Sequence, residues 1–147
     1  MDITVNKKLY TDKELKELLP MDESMVELKK KRDAEIADIL SGKSDKIILV
    51  IGPCSADRED AVLDYIGRLK KIQEKVEDKI FIIPRIYTNK PRTTGDGYKG
   101  MALQPDPEQE ADMQKGLYSI RELHLRAIKE TGLTCADEML YPDNHSY

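Results

Sequence analysis

The sequence predicts an α/β fold built on a parallel sheet, and three observations carry that prediction. Ile47-Ile-Leu-Val-Ile51 and Ile80-Phe-Ile-Ile83 are short, continuous aliphatic runs, the pattern of strands covered on both faces. Helical patterns of apolar residues separate them, so the order is helix, helix, then strand–helix–strand–loop–helix–strand. Such alternation implies right-handed βαβ crossovers. The chain of 147 residues is long enough for one ordinary domain. Only 5% of its residues are aromatic, so the core has to be aliphatic.

Taken in order, residues 1–10 form a polar arm in which Ile3 and Val5 alternate as a short edge strand would. Thr11 and Glu14 have capping-box spacing and open a helix with Leu15, Leu18 and Leu19 that stops at Pro20. Ser24 and Glu27 repeat the device and open a longer helix to about Leu40, with Met25, Leu28, Ile36, Ile39 and Leu40 as its stripe and Gly42 at its C-terminal cap. The run Lys29–Arg32 on that helix reads as a solvated face, because acidic residues flank it. After the first strand, Asp57 or a neighbour caps a helix to about Val76, with Val62, Tyr65, Ile66, Leu69, Ile72 and Val76 at helical spacing. The second strand runs from Ile80 to about Tyr87, although Pro84 removes a ladder donor from its middle. Pro105-Asp-Pro107 marks a turn, and residues 108–115 are polar and unassigned. A helix from Leu117 to Lys129 follows, with Leu117, Ile120, Leu123, Ala127 and Ile128 inward and Gly132 ending it. Leu133–Met139 reads as a third strand, and Tyr141-Pro-Asp143 as a turn. Three parallel strands with uncovered edges are what the front part of a longer fold would show.

Composition excludes several functions. A net charge of −4 argues against general nucleic-acid binding, and no apolar run approaches the length of a membrane span. Met1 leads into charged residues rather than a signal peptide, and Cys54 and Cys135 make no disulfide framework, so a reducing cytoplasm fits. Within this acidic chain, residues 84–100 gather Arg85, Lys90, Arg92 and Lys99 among Thr hydroxyls, Pro91 and three glycines. Guanidinium forks and ammonium groups beside hydroxyls suit phosphate or carboxylate recognition. Ligands of parallel α/β sheets gather outside the carboxyl ends of the strands. Cys54 in Gly52-Pro-Cys-Ser55 follows the first strand there, the cationic loop follows the second, and Glu138 ends the third. A cysteine at such a tip near cations would be held toward its thiolate and could ligate a metal; it reads equally as small apolar filler, as Cys135 does inside its strand.

Gly52-Pro-Cys-Ser55 after an apolar strand, then Arg85-x-Tyr87-x-x-Lys90-Pro-Arg-Thr-Thr94 and Tyr98-Lys-Gly100, closely resembles the 3-deoxy-D-arabino-heptulosonate 7-phosphate synthases of the class with a helical N-terminal extension. Glu14-Leu-Lys-Glu-Leu-Leu-Pro20 is similar to that extension. The resemblance implies residues 1–45 as a mostly helical extension and 46–147 as the first three strands of a (β/α)8 TIM barrel, left incomplete because a full barrel takes roughly 250 residues. It implies condensation of phosphoenolpyruvate with erythrose 4-phosphate at the entrance to the shikimate route, in the cytoplasm, by a protein that forms homo-oligomers. It implies a divalent metal of the Mn, Fe, Zn or Co type on Cys54, with a His, a Glu and an Asp from later in the family's chain. Arg85 and Lys90 would contact phosphoenolpyruvate, Arg92 and Thr93 the sugar phosphate, and Pro91 would shape the loop. Lys90 is also placed for proton transfer.

Tyr141 stands where other members often carry an Asp linked to feedback inhibition, so the resemblance leaves the aromatic amino-acid effector open. His124 and His145 match no metal ligand of the family and read as surface residues. The chain alone is expected to be inactive, and without its partners the extension would expose Leu15, Leu18 and Leu19. The competing readings are a non-catalytic fragment that binds phosphate or a partner subunit, and a related barrel acting on other phosphorylated substrates.

Overall fold

The computed structural model describes residues 8–90, 92, 94–140 and 146–147. The edge strand expected at Ile3 and Val5, the turn at Tyr141-Pro142-Asp143, and Pro91, Thr93 and His145 lie outside the described residues. Helix α1 spans Asp12–Leu18 and closes with the expected capping box: Glu14 N donates to Thr11 Oγ1, and Thr11 N donates to the Glu14 carboxylate at 2.8 Å. Its Leu15 is fully buried in the core rather than exposed, whereas Leu18 faces solvent.

Helix α2 spans Glu23–Leu40, and its cap is Asp22, not Ser24. The Asp22 carboxylate accepts from Met25 N at 2.9 Å, which leaves Ser24 in the first turn, donating to Asp22. Gly42 follows the helix in a left-handed conformation, but Leu40, expected on the buried stripe, is exposed. Arg32, expected in a solvated run, is instead buried on this helix.

Strand β1 spans Ile47–Ile51 and pairs in parallel with β2, Ile80–Pro84, in the register Ile47↔Ile80 to Ile51↔Pro84. Between them α3, Glu59–Val76, makes the βαβ crossover. Its N-cap is Arg58, with no side-chain cap, so Asp57 does not perform that role. Leu63 and Gln73 join Val62, Ile66 and Leu69 on its buried face, and Ile72 is exposed. Helix α4, Met113–Thr131, starts earlier than its apolar stripe because Asp112 accepts from Gln114 N and Lys115 N. Leu117, Ile120, Leu123 and Ala127 are buried, as expected, on the helix that packs against α3.

Among the described residues two strands form, not three. Parallel pairing continues past β2 only as one bridge, Arg85↔Ala136, with Ala136 N donating to Pro84 O and Ile86 N to Ala136 O. The next rung would need a backbone carbonyl opposite Thr88 N. Asp137 Oδ1 takes that donor at 2.9 Å and accepts from Glu138 N as well, so the ladder stops there. The same accounting explains Pro84. Parallel strands alternate the direction of their backbone groups, and the Arg85 N to Ile51 O bond shows that Pro84 presents its missing donor to the side away from β1.

That outer edge of β2 is closed by side chains. Gln73 Nε2 donates to Ile80 O at 2.8 Å, and its Oε1 accepts from Ile82 N at 2.5 Å. Arg32 donates to Ile82 O at 2.8 Å and to Thr134 Oγ1 at 3.0 Å while stacking on Phe81. Burial pulls the Arg32 pKa below its ordinary value, a shift that the charge of Glu35 opposes. Strand β1 departs furthest from expectation. Four of its five residues are 38–68% exposed, because among the described residues β2 is its one strand neighbour.

Candidate anion and thiolate site at the strand tips

The segment after β1 is held against the exit of β2. Arg85 Nε donates to Pro53 O at 2.9 Å and its terminal nitrogen to Gly52 O at 2.8 Å, while its guanidinium stacks on Tyr87. Ala56 N donates to Tyr87 O, and Tyr98 donates its hydroxyl to Ala56 O at 3.2 Å. Burial pushes the Tyr98 phenol up to about 12, so it stays a neutral donor. These bonds join the Gly52–Ala56 turn, the end of β2 and the far side of the cationic loop.

Within this frame Lys90 Nζ donates to Cys54 Sγ at 2.7 Å. That hydrogen bond is the largest influence holding the exposed Cys54 thiol below its ordinary pKa; the charges of Lys90 and Arg85 add to it, and Glu138 opposes it. Cys54, Lys90, Arg85 and Glu138 therefore share one rim. Arg92 does not join them through any described contact, since its Nε donates to Tyr98 O at 2.8 Å. Lys99 is exposed on the same loop, and its carbonyl accepts from Lys90 N at 3.3 Å. Gly100, one of the three glycines of the loop, packs against the backbone of Thr88–Lys90 at φ +94°, where a Cβ would sit 2.6 Å from Thr88 O. Cys135 is the inert thiol: burial pushes it up to about 12.

One cluster escaped the sequence reading. Thr88, fully buried, donates its N–H and its hydroxyl to Asp137, at 2.9 and 2.5 Å. His124 on α4 approaches the same carboxylate at 3.3 Å, so it is not the bare surface residue expected. The signal available was the pair Asp137-Glu138 directly after an apolar segment, where a carboxylate rarely lies without partners. Burial raises the Asp137 pKa, but bonds from His124 and Thr88 outweigh it and hold the group below 3.8. A depressed carboxylate stabilises the fold above its unfolded pKa, and that contribution is lost as pH falls through the lower folded value. Asp137→Asn should therefore lower stability at pH 7, and the gap between the two urea-midpoint curves should narrow as pH falls below the ordinary aspartate value of 3.8.

The charge of this rim differs from that of a hollow elsewhere on the surface. A cavity of about 740 Å³ at the start of α4 is lined by Asp106, Glu110, Asp112 and Glu122 against the one cation Lys115, so its carboxylates outnumber its positive charge and disfavour phosphates. Cys54 offers a thiolate-prone donor, and the neighbouring Ser55 Oγ is buried without a hydrogen-bond partner. Among the described residues no three His, Cys, Asp or Glu side chains stand where they could share an ion. No helix among them is long and apolar enough to cross a membrane.

Comparison with known proteins gives this geometry a context. The model of the DAHP synthetase I family matches residues 19–147. The phenylalanine-inhibited phospho-2-dehydro-3-deoxyheptonate aldolase of Saccharomyces cerevisiae is 43% identical over 111 residues, covering 76% of this chain and 29% of that protein. The Tyr-sensitive aldolase of Escherichia coli is 32% identical over 146 residues, covering 99% of this chain and 40% of its own length. The solved aldolase of Francisella tularensis superimposes with a TM-score of 0.86 at 35% identity, over 95% of this chain and 40% of that one. The chain spans less than half the length of these relatives.

Proposed function

The chain belongs to the DAHP synthetase I family, and from that membership we propose that it carries part of the machinery that condenses phosphoenolpyruvate with erythrose 4-phosphate. The product would be 3-deoxy-D-arabino-heptulosonate 7-phosphate, in the biosynthesis of aromatic amino acids. The observation that carries the reading is the Lys90–Cys54 contact at the strand tips, with Arg85 fixing the turn beside it. Joining two anionic substrates requires fixed positive charge at the point where they meet.

In this reading Lys90 and Arg85 would contact phosphoenolpyruvate, and Lys90, beside the enol phosphate and the aldehyde, would also take part in proton transfer. Arg92 and Thr93 hold the sugar phosphate on a loop shaped by Pro91. Cys54 contributes one ligand to a divalent metal of the Mn, Fe, Zn or Co type, whose other donors come from parts of the family fold that this chain does not contain. Such an ion, when bound, supplies Lewis-acid polarisation of the aldehyde. Residues 1–45 are the helical extension and contribute to homo-oligomer contacts. The relatives named as inhibited by phenylalanine or sensitive to tyrosine suggest an aromatic amino acid as effector. Two free thiols fit the cytoplasm.

By itself the chain would bind but not turn over, since the two strands of its described residues are too few to close a barrel. Titration calorimetry of the 147-residue chain with phosphoenolpyruvate tests this. Lys90→Ala should weaken binding by about tenfold to a hundredfold, the usual cost of one charge-assisted hydrogen bond. Unchanged affinity would remove Lys90 from the site, and robust condensation by the chain alone would overturn its inactivity. The open flank of β1 favours a second reading as a subunit-interaction module.

A further inference from the structure

Building on the role given to Lys90 above, we propose that Asp137 is a positioning residue of the strand-tip site, and that its carboxylate, through Thr88, sets where Lys90 meets Cys54. The ammonium of Lys90 ends a long, flexible stem, and its hydrogen-bond partner among the described residues is Cys54 Sγ. Such a stem delivers its charge to one place only when its backbone root is fixed, because every free rotor spreads the charge over more positions.

That root lies two residues past Thr88. The cationic loop fixes part of the segment: Ala102 N donates to Thr88 O at 3.0 Å, and Lys90 N donates to Lys99 O at 3.3 Å. Asp137 fixes the rest, at the point where parallel pairing gives out. Its Oδ1 accepts from Thr88 N and its Oδ2 from the Thr88 hydroxyl, so one carboxylate holds both donors of a fully buried residue. A backbone carbonyl in that place would have held the N–H alone. The same Oδ1 accepts from Glu138 N at 2.6 Å, and Asn89 donates to Glu138 O at 3.4 Å. Asp137 thereby spaces the two residues that act oppositely on Cys54: Lys90, which favours its thiolate, and Glu138, which opposes it. His124 approaches Oδ2 at 3.3 Å and ties the carboxylate to α4.

The test is the rate of Cys54 alkylation by iodoacetamide at neutral pH in the 147-residue chain, followed on the Cys54 peptide by mass spectrometry. Lys90→Met sets the scale and should slow the reaction by about threefold to tenfold. Asp137→Ala should slow it about as much, although Lys90 is still present. Thr88→Val keeps the side-chain shape and loses the hydroxyl bond, so it should slow alkylation by roughly twofold or more, and Thr88→Ser should restore the wild-type rate. That pair carries the test if Asp137→Ala does not fold. Leu69→Ala, a core truncation on α3, lowers stability outside this network and should leave the rate unchanged.

Titration of the same proteins with phosphoenolpyruvate separates the two roles. Slowed alkylation with unchanged affinity in both Lys90→Met and Asp137→Ala would fault the substrate role of Lys90 and leave its placement by Asp137 standing. A wild-type alkylation rate in Lys90→Met, in folded Asp137→Ala or in Thr88→Val would overturn the inference. So would a slow Thr88→Ser, or a Leu69→Ala slowed as much as Asp137→Ala.

Discussion

Gly52→Ala is expected to cost about 2–3 kcal/mol of stability and to disorganise the strand-tip site in the same stroke. A Cβ at this position would lie 2.4 Å from Arg85 O and 2.9 Å from Arg85 N, both backbone atoms that cannot turn aside. Relief requires the end of β1 to move away from β2. That strains the Arg85 N to Ile51 O bond and the two bonds from the Arg85 guanidinium to Gly52 O and Pro53 O. Those bonds are what hold the Cys54 turn within reach of Lys90. Urea unfolding measures the first effect, and the rate of Cys54 alkylation at neutral pH measures the second. A variant with wild-type values for both would show that the turn does not depend on this close approach.

The larger effect on stability is expected at Gly116→Ala. In an exposed helix this change would gain roughly 1 kcal/mol, because alanine favours the helix and glycine does not. Here the sign reverses. The added Cβ would sit 1.9 Å from Ala102 O and 2.7 Å from Met101 O, so α4 would be pushed off the Met101–Ala102 segment. Both residues belong to the core cluster that Leu117, Ile120 and Leu123 complete. A loss of about 3 kcal/mol or more is expected, at the upper end of overpacking costs. Thermal melting of the variant reads it directly, and an unchanged or raised midpoint would mean that α4 does not seat on these carbonyls.

Much of the fold was legible because local signals decide it. The capping box at Thr11 and Glu14, the two aliphatic runs and the helical stripes of α3 and α4 need only their own neighbours in sequence. What escaped depends on distant partners. Arg32 sits in a cationic run and looks solvated, yet the bare Ile82 carbonyl 50 positions away draws it inward. Gln73 is one polar residue on an apolar helix face, and only the open edge of β2 explains its burial. Residues 133–139 have the composition of a strand. They fail to become one because the carboxylate of Asp137 takes the place of a backbone rung.

The site was half legible for a related reason. The strand-tip rule and the Gly-Pro-Cys-Ser and Lys-Pro-Arg-Thr-Thr patterns located Cys54 and Lys90, but gave no hint that Arg85 would use two donors on the Gly52 and Pro53 carbonyls. The position of Asp137 hinted that it needs partners, but no spacing in the sequence joins it to Thr88 and His124.

The central claim is that Lys90 and Cys54 meet at one rim, and the pH dependence of Cys54 alkylation tests it most directly. Cys135 stays silent in such an experiment, because its thiol is pushed up to about 12. The account predicts a midpoint for the wild-type chain below the ordinary cysteine value of 9.0, and a rise toward that value in Lys90→Met. The same midpoint in both proteins would contradict it.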